Sequence, residues 1–147
     1  MFEVITKFRN EYKFLSNFYL CDVIYNGTKY ASSEHAYQAQ KCIDEEDILK
    51  FTNITAGKAK ELGNELLKTR KDWTEQKKTD IMFNIVKAKF EQNPHLKEKL
   101  KETKKILLIE GNNWHDNFWG DCSCDKCKSK TGRNVLGKIL MLIRTKI

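Results

Sequence analysis

The sequence predicts a compact, predominantly helical α+β fold in which residues 1–147 form one domain. The first observation is length, since 147 residues correspond to about one domain. The second is periodicity, because apolar residues recur at helical spacing in the middle and at the end of the chain. The third is order: strand signals near the beginning and near the end, with helices between and after them, are typical of the α+β class.

The first predicted elements are a hairpin and a capped helix. The Asn-Gly pair at positions 26–27 favours the positive φ angles of a type I′ turn, which predicts a β-hairpin over residues 21–30. Shortly after it, Ser32 or Ser33 can accept a hydrogen bond from a free backbone amide at a helix start. These caps predict a helix over residues 34–41.

The middle of the chain predicts three further helices. Thr55 can cap one over residues 56–67. A longer helix over residues 74–92 is predicted by apolar side chains on one face, namely Met82, Ile85, Val86 and Phe90. Pro94 suits the first turn of the next helix, because an amide at that position has no intrahelical partner.

The last part of the chain predicts a strand, a long loop and a final helix. Residues 106–109 are a short apolar run, which indicates a buried strand. Residues 134–144 carry apolar side chains at helical spacing. The stretch 111–130 between them has no regular period, and its tryptophans, Trp114 and Trp119, are unusual for a disordered segment. Structured loops of this length are usually functional.

Charge and composition limit the classes of protein. The 27 Lys and Arg residues exceed the 20 Asp and Glu residues, which gives a net charge of +7. This excess favours anionic partners such as phosphorylated small molecules and nucleic acid, although solvated helix faces explain it equally well. The chain has no apolar run of membrane-spanning length and no visible secretory signal, so we expect a cytoplasmic protein.

The cysteines include a cluster near the end of the chain. Five cysteines, an odd number in a chain expected to be intracellular, argue against a disulfide framework. Cys122, Cys124 and Cys127 lie close in sequence, but zinc would need a fourth ligand, and His115 would have to supply it. Because the chain lacks a second cysteine pair, we expect structural thiols and no metal.

Two segments carry candidate catalytic groups. Glu34, Gln38 and Lys41 have the spacing of one helix face, where a carboxylate and an amine could act as acid/base and nucleophile. A solvated polar face is the alternative. Asp116 lies between two tryptophans, a setting in which the pKa of a carboxyl group is often perturbed toward proton transfer.

Two other segments could bind a substrate. Asn17 offers directional hydrogen bonds and Phe18 a flat surface for a base, although a turn with ordinary core aromatics would look the same. Gly132 and Arg133 precede the last helix, whose free amides could bind phosphate. Alternatively, Gly132 forms a turn and Asn134 caps the helix.

An ordered set of residues extends over nearly the whole chain. It consists of Phe8-Arg9, Tyr12, residues 14–19 and 34–39, Lys41, Ala59, Gly63, Asp72-Trp73, Met82, Lys89-Phe90, Leu100, Thr103, Glu110, Asp116, Trp119-Gly120, Gly132, Asn134, Leu136-Gly137 and Ile143-Arg144. This order resembles the NADAR family, also called YbiA-like, of small N-glycosidases.

The resemblance implies a mostly helical α+β fold and cleavage of N-glycosidic bonds without a cofactor. It implies two kinds of substrate. One is the group of phosphorylated ribosylaminopyrimidine intermediates of riboflavin biosynthesis, and the other is ADP-ribose attached to guanine in DNA or RNA. The competing interpretation is a non-catalytic module that binds ADP-ribose or nucleic acid.

The resemblance also implies site residues. Glu34 is expected to be the general acid/base, Asp116 to orient the sugar or a water, and Lys41 to be a nucleophile that forms a Schiff base. Phosphate binding is the alternative role for Lys41. The residues expected to bind substrate, with Arg9 on the phosphate, are Arg9, Asn17, Phe18, Trp73, Trp119 and Asn134.

Overall fold

The structure, a computed structural model, describes residues 3–147, which divide into two compact units. The central unit is Asn17–Pro94, and the terminal unit joins the described residues up to Ser16 to His95–Ile147. Helices predominate over strands, which confirms the predicted α+β class. Among the described residues, no helix combines the length and the apolar character needed to cross a membrane.

The elements follow one another along the chain as six short strands and six α-helices among the described residues. The strands are β1 (Val4–Ile5), β2 (Val23–Tyr25), β3 (Thr28–Tyr30), β4 (Leu107–Leu108), β5 (Gly111–Asn112) and β6 (Asp121–Cys122). The α-helices are α1 (Ser33–Ala39), α2 (Glu45–Leu49), α3 (Ala56–Asn64), α4 (Glu75–Gln92), α5 (Pro94–Glu102) and α6 (Val135–Lys146). A 3-10 helix (Asn10–Leu15) lies between β1 and β2.

The central unit contains the predicted hairpin and the predicted long helix. Strands β2 and β3 pair antiparallel with Val23 opposite Tyr30, and Gly27 in the connecting turn has a φ of 83°. This positive angle is the one that the turn prediction required. Helix α4 begins where expected, since Thr74 Oγ1 accepts a hydrogen bond of 3.1 Å from the Lys77 amide.

Two helices of the central unit end earlier than predicted. Helix α1 ends at Ala39, and the Lys41 amide instead donates to Gln38 O in a tight turn. Helix α3 ends at Asn64, because Leu67 is fully exposed and provides no packing to hold a further turn. The short α2 was not predicted. The acidic residues of its first turn interact favourably with the helix dipole.

Helix α1 lies in the core of the central unit. All its residues are buried, and it packs against α3 and α4. Gly63 of α3 comes so close that a β-carbon at this position would overlap the Gln38 side-chain oxygen. Ser32 caps α1 by accepting a bond from the His35 amide, and the His35 ring nitrogens lie 2.6 Å from Ser32 Oγ and Ile54 O. His35 therefore has a structural role.

The terminal unit is built on two short parallel strand pairs. Strand β1 pairs with β4, placing Val4 opposite Leu107, and β5 pairs with β6, placing Gly111 opposite Asp121. Helix α6 packs against β4. Strand β4 and helices α5 and α6 confirm the predicted elements to within one or two residues. Strands β1, β5 and β6 were not predicted, because two residues carry no periodicity.

Candidate functional site

The buried helix α1 carries a carboxylate in a fixed position. Glu34 is 8% exposed, and Gln38 Nε2 donates a hydrogen bond of 2.6 Å to its Oε2. The Glu34 amide donates to Asn17 O at 3.0 Å. Glu34 and Gln38 therefore share a helix face as predicted, whereas Lys41 lies beyond the end of the helix. A carboxylate held in this way has the fixed aim that a general acid or base requires.

Lys41 is half-buried just beyond α1. Burial is the main cause that lowers the pKa of its ammonium group below the usual 10.5, while the nearby Glu34 carboxylate raises it and Lys78 and Lys60 lower it. The net direction is downward. Its Nζ lies 5.8 Å from the Tyr37 ring centroid. A lowered pKa increases the fraction of neutral amine, which is the nucleophilic form.

An aromatic pair adjoins Lys41. The half-buried Trp73 contacts Tyr37, with the ring centroids 5.4 Å apart and the planes at 52°. The segment before Trp73 is fixed by the Arg70 guanidinium, which donates to both carboxylate oxygens of Asp72, and by the Arg70 amide, which donates to Lys41 O. Sequence analysis did not select Tyr37, although this residue contacts both Trp73 and Lys41.

Three buried side-chain oxygens on or beside α1 lack a hydrogen-bond partner among the described residues. They are Asn17 Oδ1, Ser33 Oγ and Gln38 Oε1. A buried polar atom without a partner costs about 1–3 kcal/mol, so each needs an explanation. A ligand that presents hydroxyl or amino donors would provide the missing bonds. Phe18, directly after Asn17, is 43% exposed and leaves ring surface accessible.

In the terminal unit, the backbone fixes Asp116. Its Oδ1 accepts hydrogen bonds from the Phe118 amide at 3.1 Å and the Trp119 amide at 2.9 Å. The Asp116 amide in turn donates to Asn112 Oδ1. The Trp119 ring meets the Phe118 ring edge-on, with 4.7 Å between centroids. These bonds set the direction of a half-buried carboxylate beside an aromatic pair.

Arg9 is exposed and lines a cleft within the terminal unit. The cleft has a volume of about 360 Å³, and Lys7 adds a second cation to its wall. Asn112 and Ser123 contribute an amide and a hydroxyl, and the Asp121 carboxylate also lines the cleft. The two cations outnumber this one carboxylate, and cations are the groups that pair with a phosphate.

The Asn134 side chain forms hydrogen bonds with the backbone of the terminal unit. Its Nδ2 donates to Leu108 O and its Oδ1 accepts from the Glu110 amide, both at 2.9 Å. The residue is buried, and its side chain makes no capping bond to α6. Because both polar groups are bonded to the backbone around β4, substrate binding by Asn134 is not supported. The side chain instead holds β4 beside α6.

The predicted site residues are divided between the two units. Those of the central unit are Asn17, Phe18, Glu34, Lys41 and Trp73, and those of the terminal unit are Arg9, Asp116, Trp119 and Asn134. Within the central unit, the first turn and the end of α1 bring Glu34, Lys41 and Trp73 into one neighbourhood. Within the terminal unit, Asp116 and Trp119 share a loop.

A group of possible metal ligands also lies in the terminal unit. The His115 ring nitrogen and the sulfur atoms of Cys122, Cys124 and Cys127 all lie within 4.8 Å of one another. The expectation of no metal depended on the absence of a second cysteine pair. The structure offers His115 as a fourth donor in place of such a pair, because its ring nitrogen lies beside the three thiols.

Comparison with known proteins identifies relatives along almost the whole chain. The sequence matches the NADAR domain family over residues 5–147. A riboflavin biosynthesis protein of Vibrio vulnificus is 38% identical over 138 residues, which make up 91% of this chain and 35% of that protein. The N-glycosidase YbiA of Escherichia coli is 33% identical over 142 residues, which cover 94% of this chain and 83% of that protein. An N-glycosidase of Nostoc punctiforme is 36% identical over 141 residues, or 92% of this chain and 86% of that protein.

A solved structure agrees with these sequence matches. The NMR structure of the E. coli protein YbiA matches this fold with a TM-score of 0.81 and 31% sequence identity, over 99% of this chain and 86% of that chain. The fold and the sequence thus point to the same relatives. This chain belongs to the NADAR domain family.

Proposed function

We propose that this chain is an N-glycosidase that hydrolyses the bond between ribose C1 and the amino nitrogen of phosphorylated ribosylaminopyrimidines. The observation that carries the proposal is a buried carboxylate, Glu34, grouped with Lys41, a half-buried amine of lowered pKa. Relatives named N-glycosidase support the reaction, and the relative named a riboflavin biosynthesis protein supports the substrate class. A binding module would have no need of this acid/base and amine pair.

Glu34 supplies the proton for the leaving base. Cleavage of an N-glycosidic bond needs a protonated leaving group, stabilised positive charge at C1 and a nucleophile. Glu34 is held by Gln38 Nε2, so it can donate a proton to the leaving nitrogen and afterwards accept one from water. The oriented carboxylate of Asp116 positions the sugar or the water.

Lys41 attacks C1 in the covalent route. Opening of the ribose ring converts C1 into an imine carbon bonded to the base nitrogen. The neutral amine of Lys41 adds to this carbon, and the base leaves with the electron pair of its bond and a proton from Glu34. Lys41 and C1 are then joined as a Schiff base, which water hydrolyses to release the sugar phosphate. In the alternative route, water attacks C1 directly and Lys41 only binds phosphate.

The remaining residues recognise the substrate. Arg9 pairs with the phosphate as a bidentate donor, with Lys7 beside it. The aromatic residues Phe18, Trp73 and Trp119 provide flat surfaces for the base. Asn17 Oδ1, which has no donor among the described residues, accepts a bond from a ribose hydroxyl or a base amino group.

The decisive experiment measures products and traps the intermediate. Purified protein is incubated with a ribosylaminopyrimidine phosphate, and released ribose phosphate and base are quantified. We expect Glu34→Gln to reduce kcat by about 10²–10⁴-fold, as loss of a general acid does. Borohydride added during turnover should leave a sugar adduct on the protein. Lys41→Ala should abolish that adduct, whereas the exposed control Lys50→Ala should retain it.

Two outcomes contradict the proposal. Absence of both products from every substrate tested would leave only a binding role. Near-normal turnover of Lys41→Arg without any adduct would exclude the covalent route and assign Lys41 to phosphate binding.

The second candidate substrate is ADP-ribose attached to guanine in DNA or RNA. The observation that favours it is the net charge of +7, which attracts a polyanion. The same assay with ADP-ribosylated guanine DNA distinguishes the two substrates through the ratio of their kcat/KM values.

We further propose that the protein acts in the cytoplasm and that residues 1–147 function as one domain. One cooperative unfolding transition would support the single domain.

A further inference from the structure

Four side chains of the terminal unit take no part in the proposed reaction. His115 Nδ1 lies 3.2 Å from Cys124 Sγ and 3.4 Å from Cys127 Sγ. With Cys122 Sγ, the four donor atoms all lie within 4.8 Å of one another. Cys122 and Cys127 are buried, while His115 is exposed at the rim of the cluster.

The two nitrogen–sulfur separations suit a tetrahedral ion. Zinc binds thiolates at about 2.3 Å and imidazole nitrogen at about 2.0–2.1 Å. Its ligand atoms in a tetrahedron are therefore about 3.5–3.8 Å apart. The nitrogen–sulfur distances of 3.2 and 3.4 Å are close to this value. A histidine and three cysteines are also a ligand set of structural zinc sites.

The local backbone presents the thiols to one point. The amides of Cys127 and Lys128 both donate to Cys124 O, which forms a tight turn with Cys124 and Cys127 at its ends. The His115 amide donates to Cys122 Sγ at 3.3 Å, a bond that stabilises a thiolate. His115 adopts a φ of 71°, a left-handed conformation that few non-glycine residues adopt. The loop thus adopts a strained backbone conformation at His115, and this conformation places the imidazole beside the sulfurs.

The surrounding charge agrees with bound thiolates. Lys126, Lys128 and Lys130 lie within the same short segment and are exposed. Three thiolates and one divalent ion carry a net charge of −1. The same segment also contains Asp121 and Asp125, the latter 3.7 Å from Lys128, so its three lysines leave an excess of one positive charge to offset that of the site. No disulfide joins the cysteines, so all three sulfurs are available as ligands.

We propose that His115, Cys122, Cys124 and Cys127 bind one zinc ion in a closed, structural site. Four protein ligands leave no open position for a catalytic water. The ion instead cross-links the loop over residues 111–130, because His115 precedes the Phe118–Trp119 pair in the sequence and the three cysteines follow it. Asp116 directly follows one ligand and Trp119 lies between two of them. The proposed zinc therefore fixes the segment that carries a catalytic carboxylate, a consequence that rests on the proposed function.

The test measures metal in the full chain, independently of turnover. Protein purified with a reductant and without a chelator should contain about one zinc per chain by elemental analysis. His115→Asn is the informative variant, because asparagine tolerates the left-handed backbone and the exposed side chain leaves little packing to lose. This variant and Cys124→Ser should lose at least about four-fifths of the zinc. Cys21→Ser is the matched control, because Cys21 is also a free cysteine but lies outside the cluster.

Two further measurements guard against a variant that fails to fold. Metal-free wild-type protein titrated with Co²⁺ should develop the intense visible absorption of a tetrahedral cobalt–thiolate centre, saturating at about one equivalent. Removal of zinc should expose the loop over residues 111–130 to protease before the rest of the chain. Zinc below about one tenth of an equivalent in wild-type protein would overturn the proposal, as would equal zinc in His115→Asn and wild type. An inactive protein with full zinc would contradict the proposed function alone.

Discussion

The contact between Gly63 and Gln38 links the packing of α3 to the proposed catalytic carboxylate, Glu34. A β-carbon at position 63 would overlap Gln38 Oε1, so Gly63→Ala forces the Gln38 side chain to move. Gln38 is only 4% exposed and has little free space to enter. Its movement breaks the 2.6 Å bond from Nε2 to Glu34, and a hydrogen bond to a charged group contributes about 1.5–3 kcal/mol.

The helix propensity of alanine opposes this loss. Replacing glycine by alanine within a helix stabilises it by at most about 1 kcal/mol. We therefore expect Gly63→Ala to lower the free energy of unfolding by about 0.5–2 kcal/mol. For a chain of this length, that corresponds to a fall in Tm of about 1–8 °C. Because Glu34 loses the donor that aims it, kcat should fall by about 10²-fold.

Gly57→Ala is the matched control. Gly57 belongs to the same helix, and a β-carbon there meets no atom within 4 Å. This variant should leave Tm unchanged or raise it, with normal kcat. Thermal unfolding and steady-state turnover of both proteins are the required assays. If Gly63→Ala proves as stable and as active as Gly57→Ala, Gln38 does not hold Glu34 in the way that we infer.

Three further predictions concern individual site residues. The rate of Schiff-base formation should rise with pH as Lys41 loses its proton. The midpoint of this rise should lie below 10.5, because burial lowers the pKa of the Lys41 ammonium group. A rate that does not change with pH would argue against amine attack. Asp116→Asn should keep the loop folded, because the asparagine side-chain oxygen still accepts the bonds from the Phe118 and Trp119 amides. Asp116→Ala has no such oxygen, so this variant should lower Tm as well as kcat. Asn17→Ala should raise KM by about tenfold. The fall in Tm should be small, because Oδ1 makes no bond in the structure and Nδ2 makes only a 3.5 Å contact with the sulfur of Met82. A large fall in Tm with unchanged KM would show a purely structural residue.

Local chemistry explains which elements could be predicted. The Asn-Gly pair at 26–27 and the caps Ser32 and Thr55 each act within a few residues, and both caps accept the expected bond. Strand β1 differs, because its partner β4 lies about a hundred residues away and neither strand exceeds two residues. Pairing over such a separation leaves no local pattern. The end of α1 was missed for a related reason, since a tight turn replaces helical bonds without any glycine or proline to mark it.

The site likewise combines features that local spacing predicts with features that only tertiary packing determines. The spacing of Glu34 and Gln38 predicted a shared face, and one hydrogen bond confirms it. The aromatic contact of Tyr37 with Trp73 is a product of tertiary packing and has no signature in spacing. The sequence named His115 as the residue that would have to complete a zinc site, but nothing in the sequence places it beside the cysteines. Its left-handed backbone and the pairing of β5 with β6 are what bring it to them.

The burial of α1 gives a physical reason for the position of the site. Glu34 and Gln38 lie in a core that would be more stable with apolar side chains, since buried polar groups are costly unless every one is bonded. Their mutual bond removes only part of this cost, because Gln38 Oε1 and the nearby Asn17 Oδ1 remain without donors. A fold that retains such groups has a lower free energy of unfolding, but it holds the Glu34 and Gln38 side chains in a fixed orientation. Substrate hydroxyl and amino groups are the donors that this arrangement lacks, so binding of substrate and full hydrogen bonding of the core should occur together.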